Sequence, residues 1–67
     1  MLDRMEILEL LKESTKEYIS CLERSSLYYV EHYNQMIAYM KVLKIDNKYK
    51  YIDIDVAKKI LIDIESL

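Results

Sequence analysis

The sequence predicts an all-α fold, in which a helical hairpin and a short C-terminal helix pair with a second copy into a dimeric helical bundle. Three observations lead to this prediction. Apolar residues recur at helical spacing in three separate segments. The chain contains no glycine and no proline, the residues that most strongly interrupt a helix. One of the segments is apolar over more of its circumference than a single neighbouring helix would cover.

The small size of the chain is the reason to expect a dimer. Its 67 residues predict a single domain over 1–67, and a domain of that size buries only about 60% of the surface of its unfolded chain. Small domains therefore rely on disulfides, metals or oligomerisation. The single cysteine, Cys21, has no partner for an internal disulfide, and no cluster of cysteine and histidine suggests a metal site. Self-association remains, and a two-fold homodimer is its commonest form.

The first helix is predicted over about 3–24. Asp3 is a suitable N-cap, and apolar residues follow it at alternating spacings of three and four. Ser25 and Ser26 form a weak interruption, because serine favours turns and caps. One continuous helix over 3–44 is the alternative, since a heptad register passes through both serines. The hairpin is favoured because its two helices can bury each other's apolar stripe.

The second helix, predicted over about 26–44, carries the strongest indication of function. Tyrosine is enriched in interfaces because it buries a large area and keeps a hydroxyl for a partner. Methionine adapts to irregular surfaces. A role in the core alone is the alternative interpretation. The predicted protein-interface residues are Tyr28, Tyr29, His32, Tyr33, Met36, Tyr39 and Met40.

A turn is predicted at 45–48, because aspartate and asparagine tolerate turn conformations, and a short extended linker follows it. The third helix is predicted over about 54–66, with Asp53 or Asp55 at its start. Its apolar residues lie on one face. Ile62 falls off that face and is an expected contact for a second chain.

Catalysis, a cofactor and a bound metal are not expected. Without glycine, the chain lacks the glycine-rich loops that hold phosphates. Asp53 and Asp55 are better explained by helix capping than by metal binding, because the glycine and the distal glutamate of a calcium loop are missing. His32 has no clustered partner, so a partly buried or interfacial position is expected. No cation at helical spacing marks Cys21 as an activated nucleophile, so a buried structural role is expected.

The charged residues indicate two further surfaces on a chain of net charge −2. The first helix carries an acidic ridge suited to a basic partner, with an ordinary solvated face as the alternative. The ridge consists of Glu6, Glu9, Glu13 and Glu17. The basic run, interleaved with tyrosines, is a candidate nucleic-acid contact because lysines bind phosphates and tyrosines stack on bases. Its lysines are Lys41, Lys44, Lys48 and Lys50.

The expected location is the cytoplasm, without membrane contact. No apolar run approaches the ~18 residues of a spanning helix, and the N-terminal segment lacks the apolar core of a signal peptide. The expected function is that of a non-enzymatic regulator or inhibitor, which self-associates and occludes an unidentified protein partner. A small dimeric DNA-binding protein using residues 41–51 is one alternative, and a purely structural assembly subunit is another.

Overall fold

The computed structural model describes residues 2–49 and 51–66 and contains three α-helices within them. The elements are α1 (Arg4–Glu23), α2 (Tyr29–Val42), a 3₁₀ helix (Asp46–Lys48) and α3 (Ile54–Glu65). No strand occurs in the described part of the chain. The predicted all-α fold, with a hairpin followed by a short C-terminal helix, is confirmed.

Helices α1 and α2 form the hairpin and run antiparallel. The Ser14 hydroxyl donates to the side-chain oxygen of Gln35 over 3.3 Å. One turn further along α1, the ring of Tyr18 packs against that of Tyr33, nearer the start of α2. The alternative of one continuous helix over 3–44 is therefore wrong.

The turn between the two helices depends on two serines. Ser25 adopts the left-handed conformation, with φ of 56°. This allows the Ser26 N–H to donate to the carbonyl of Cys21 at 2.8 Å, which closes the end of α1 in a Schellman motif. The Ser26 hydroxyl oxygen then accepts from the Tyr28 N–H at 3.2 Å. Because these bonds occupy residues 24–28, α2 begins three residues later than predicted.

Helix α2 ends in the same manner as α1. Lys44 has φ of 61°, and the Ile45 N–H donates to the carbonyl of Met40 at 3.0 Å. Glycine is the usual residue at this position because it carries no Cβ. Because this chain contains no glycine, Ser25 occupies the position at the end of α1 and Lys44 occupies it at the end of α2.

Helix α3 also runs antiparallel to α1, so that α2 and α3 point the same way. Lys12 pairs with Glu65 at the end of α3 over 3.8 Å, while the Tyr18 hydroxyl donates to the carbonyl of Ile52, just before α3 begins. The segment between α2 and α3 must therefore travel back along the bundle. This explains why Tyr49 is extended and why a linker, residues 49–53, separates the 3₁₀ helix from α3.

Helix α1 is the central element, because it packs against both α2 and α3. The core receives side chains from all three helices and from the linker. Its buried apolar members are Leu11, Tyr18, Ile19, Met36, Met40, Leu43, Ile52, Ala57, Ile60 and Ile64. Thr15 is also fully buried, and its hydroxyl donates to the carbonyl of Leu11 at 2.7 Å. This bond accounts for a polar residue within the apolar stripe of α1.

Aspartates cap both α1 and α3. The Asp3 carboxylate accepts from the Glu6 N–H at 2.8 Å, and the Asp53 carboxylate accepts from the Val56 N–H at 2.9 Å. Each bond satisfies an amide that has no partner inside the helix. Among the described residues, no helix combines the length and the apolar character needed to cross a membrane.

Candidate interaction site

Three tyrosine rings cluster where α1, α2 and the linker meet. The Tyr18 ring lies 6.4 Å from that of Tyr29 and 5.7 Å from that of Tyr33, both in tilted arrangements that aromatic pairs favour. The Tyr18 hydroxyl donates to the Ile52 carbonyl at 2.6 Å. Burial raises the pKa of Tyr18, and the neighbouring Tyr33 and Tyr29 add to the effect. The cluster joins three elements and supports the surface beside it.

That surface consists of four consecutive apolar residues at the start of α2, Leu27, Tyr28, Tyr29 and Val30, here termed the turn patch. All four are exposed, and the exposed fraction reaches 85% for Leu27 and 68% for Tyr28. Single exposed apolar residues are ordinary on protein surfaces, whereas a group of them within one short segment is typical of a contact site. The turn patch is therefore a candidate protein-binding surface.

The structure separates the predicted interface residues into two groups. Tyr28 and Tyr29 belong to the turn patch, while His32, Tyr33 and Tyr39 are half-buried. Met36 and Met40 are completely buried and fill the core. Helical spacing alone did not separate these groups, because both lie within the wide apolar surface of α2.

Sequence reasoning missed Leu27 as a surface residue. It falls inside the helix predicted over 26–44, where no stripe included it. Its position follows from the left-handed Ser25 and from the hydroxyl bond of Ser26, which together form the turn. The pair of serines was the available signal, read correctly as an interruption but not as a surface loop.

Neither His32 nor Cys21 belongs to a cluster of potential metal ligands within the described residues. The Nδ1 atom of His32 is buried and has no hydrogen-bond partner in the described structure. Cys21 is a free, buried thiol, and the Arg24 guanidinium donates to its sulfur over 3.8 Å. The expectation that no cation lies at helical spacing from Cys21 is therefore wrong, because Arg24 follows it by three residues on the same side of the helix end. Within residues 2–49 and 51–66, no group of three or more potential metal ligands converges.

The four glutamates of the acidic ridge are all exposed along α1. Within the described part of the chain, none of them forms an ion pair. The ion pair that α1 does form joins Lys12 to Glu65. Beside them lies a shallow groove of about 400 Å³, lined by Leu2, Met5, Glu6, Glu9, Leu10 and Glu13. An apolar groove and a row of carboxylates, which Lys12 and Lys16 offset only in part, therefore occupy the same face of α1.

Of the basic run, Lys41, Lys44 and Lys48 are exposed, and Lys50 lies outside the described residues. The tyrosines of this segment differ. Tyr51 is exposed, whereas the hydroxyl of Tyr49 donates to the Asp63 carboxylate.

The Tyr49–Asp63 bond lies in a cavity of about 370 Å³ between the 3₁₀ helix, the start of α1 and the end of α3. The cavity is lined by Arg4, Ile45, Lys48, Tyr49, Ile60, Asp63, Ile64 and Ser66. Burial raises the pKa of Tyr49 to about 12, with a further contribution from the hydrogen bond to Asp63. The hydrogen bond between these two groups ties the segment to α3.

Comparison with protein-family models, with curated proteins and with solved structures finds no match to this chain. The fold and the surface define its class as a small three-helix bundle with an exposed apolar patch. Any functional assignment must therefore come from its own residues.

Proposed function

We propose that the protein is a non-enzymatic interaction module that self-associates and that regulates or inhibits another protein by covering part of its surface. The observation that carries this proposal is the turn patch, in which four consecutive apolar side chains remain exposed after the monomer has packed. Burying them against a second chain would remove apolar surface from water. Tyr28 is the expected anchor, because exposed tyrosines dominate many interfaces.

The position of α2 supports the same proposal. Helix α1 occupies the centre of the bundle, so α2 packs against α1 and the short 3₁₀ helix and leaves its outer side uncovered. The wide apolar surface of α2 thus exceeds what the monomer buries. A second copy is the proposed cover for the start of α2, since a two-fold pair would bring the turn patch onto itself.

The acidic ridge supports the regulatory half of the proposal. Its exposed carboxylates create a negative surface, which accelerates encounter with a positively charged partner and makes the encounter sensitive to salt. Occlusion requires only a well-placed surface, which a chain of 67 residues can supply.

Self-association is tested by light scattering and sedimentation over a range of concentrations. Tyr28→Ser is compared with Val42→Ser, an α2 substitution at a similarly exposed position (68% and 61%, respectively). We expect a dimer for the wild type and for Val42→Ser. For Tyr28→Ser we expect the affinity of the dimer to be at least about tenfold lower. A monomeric wild type, or equal effects of both substitutions, would contradict the proposal.

Partner binding is tested by affinity capture from native lysate. A stoichiometric protein partner is the expected result, and recovery of nucleic acid alone would count against it. The DNA-binding alternative is favoured by the exposure of Lys41, Lys44 and Lys48 beside the exposed Tyr51. A mobility shift at low salt that Lys48→Glu abolishes would support that alternative. Sedimentation as a large assembly would instead support a purely structural subunit.

A further inference from the structure

The groove on the outer face of α1 combines two properties that point to one kind of occupant. Leu2, Met5 and Leu10 supply apolar side chains, and Met5 is 69% exposed. Most of the groove surface is apolar, although three glutamates contribute to its lining. The stems of these glutamates therefore face the groove, while their carboxylates remain available at its edge.

The opposite face of α1 holds the bundle together, so the groove has no cover within the described chain. Leu11, Thr15 and Tyr18 face the core, whereas Glu9 and Glu13 face solvent. Glu9 and Glu13 are four residues apart, a spacing at which like charges on a helix repel. A partner that brings cations would relieve this repulsion.

We propose that this groove docks a basic amphipathic helix of a partner protein. Apolar side chains of that helix enter between Leu2, Met5 and Leu10, and its lysines or arginines reach the carboxylates. Glu6, Glu9 and Glu13 extend over two turns, or about 10 Å of helix axis. Basic residues spaced three and four apart on the partner match this separation. The long stems of lysine and arginine add apolar contact within the groove.

The charge of the groove disfavours the other occupants. A second copy docked by two-fold symmetry would bring the same glutamates together and add repulsion. A nucleic acid would present phosphates to carboxylates. A basic protein segment is the occupant whose charge complements the groove.

The docking rests on the proposed interaction function but uses a surface separate from the turn patch. The probe is a fluorescently labelled helical peptide of about 14 residues, with leucines along one face and lysines on both flanks. Its control carries glutamate in place of each lysine. Anisotropy titrations use the full-length protein, so that each substitution is measured in the intact bundle.

Two pairs of variants separate the apolar from the charged contribution. Met5→Gln alters the groove, and Ile62→Gln is its control at a similarly exposed position on α3 (69% and 64%, respectively). Glu9→Lys with Glu13→Lys reverses the charge of the groove. Glu23→Lys with Glu31→Lys makes the same change in net charge at exposed positions outside it.

The expected result is binding of the basic peptide that weakens about tenfold in each groove variant and changes less than about twofold in each control. High salt should weaken it as well. Failure of the wild type to bind, equal binding of the acidic peptide, or unchanged binding in either groove variant would overturn the proposal.

Loss of self-association in Met5→Gln would also overturn it, by identifying a second copy as the occupant. If Tyr28→Ser still disrupts the dimer when the peptide fails to bind, the docking is wrong and the proposed self-association stands.

Discussion

At the scale of single residues, Tyr18 contributes most to the connection between elements. It is buried on α1, its ring contacts Tyr29 and Tyr33 on α2, and its hydroxyl satisfies the carbonyl of Ile52 in the linker. The described residues of the linker form neither helix nor strand, so their backbone groups depend on such side-chain partners. One hydroxyl therefore holds the start of α3 against the hairpin.

Tyr18→Phe should lower stability by about 1–2 kcal/mol, because the buried carbonyl of Ile52 would lose its donor. In a domain of this size, this corresponds to a Tm lower by roughly 5–10 °C. Thermal unfolding followed by circular dichroism measures the change. Tyr51→Phe is the control, since Tyr51 is exposed. Equal Tm values for Tyr18→Phe and wild type would mean that the hydroxyl bond contributes nothing net.

At the scale of elements, helix ends govern where each helix stops. Both α1 and α2 terminate with a residue other than glycine in the left-handed conformation, Ser25 and Lys44. For such residues this conformation costs roughly 1–2 kcal/mol, which glycine avoids. The turns are therefore formed at the expense of some stability.

Ser25→Gly and Lys44→Gly should each raise stability by about 0.5–1 kcal/mol, because the relief of backbone strain exceeds the larger chain entropy of glycine. Ala38→Gly, at an exposed position within α2, should lower stability by about 1 kcal/mol. Urea denaturation distinguishes the two signs. Destabilisation by both turn substitutions would exclude strain at the helix ends.

The linker is held to α3 by the Tyr49–Asp63 hydrogen bond, whose strength depends on pH. Burial and this bond raise the pKa of Tyr49 from 10.0 to about 12. A pKa that is higher in the folded state means that the contribution to stability is complete below pH 10 and is lost as the pH rises through about 12.

Stability of the wild type should therefore fall more steeply than that of Tyr49→Phe over this alkaline window. Urea denaturation at intervals from about pH 9 upward provides the comparison. Tyr49→Phe keeps the ring but has no hydroxyl to ionise. Its pH profile therefore lacks the contribution of Tyr49 and is the reference for the wild type. Parallel pH profiles would show that Tyr49 does not couple to folding.

At the scale of the whole molecule, the bundle leaves much of its surface exposed. Its accessible area is 4,918 Å², against roughly 11,700 Å² for the unfolded chain by the usual scaling with mass. The fraction buried is therefore near the value expected for very small domains, which are marginally stable alone. Association through the turn patch would add burial that the monomer lacks.

If the dimer forms, the Tm of the wild type should rise by a few degrees for each roughly tenfold increase in concentration, because association stabilises the folded state by mass action. Tyr28→Ser should remove this dependence, and Val42→Ser should retain it. Differential scanning calorimetry across concentrations gives the result. A Tm independent of concentration in the wild type would argue for a monomer.

Features that depend on neighbouring residues along the chain were accessible from the sequence. Periodic apolar spacing predicted three helices, and for α1 the predicted range of 3–24 differs by one residue at each end from Arg4–Glu23. Asp3 was recognised as a cap, and Asp53 was one of two candidates with Asp55, because a cap bonds to an amide three residues away. The predicted helix 26–44 began too early, because serine in the left-handed conformation has no distinctive pattern.

The sequence by itself therefore determined the fold class, the helices and the acidic ridge, since helical period and charge order are properties of one segment. Only the tertiary structure decided that α1 is central, that Met36 and Met40 are core residues, and that Leu27 and Tyr28 remain exposed. The physical reason is that burial depends on what packs against a face. Spacing along one helix shows which residues share a face, but the second element that covers it comes from distant parts of the chain.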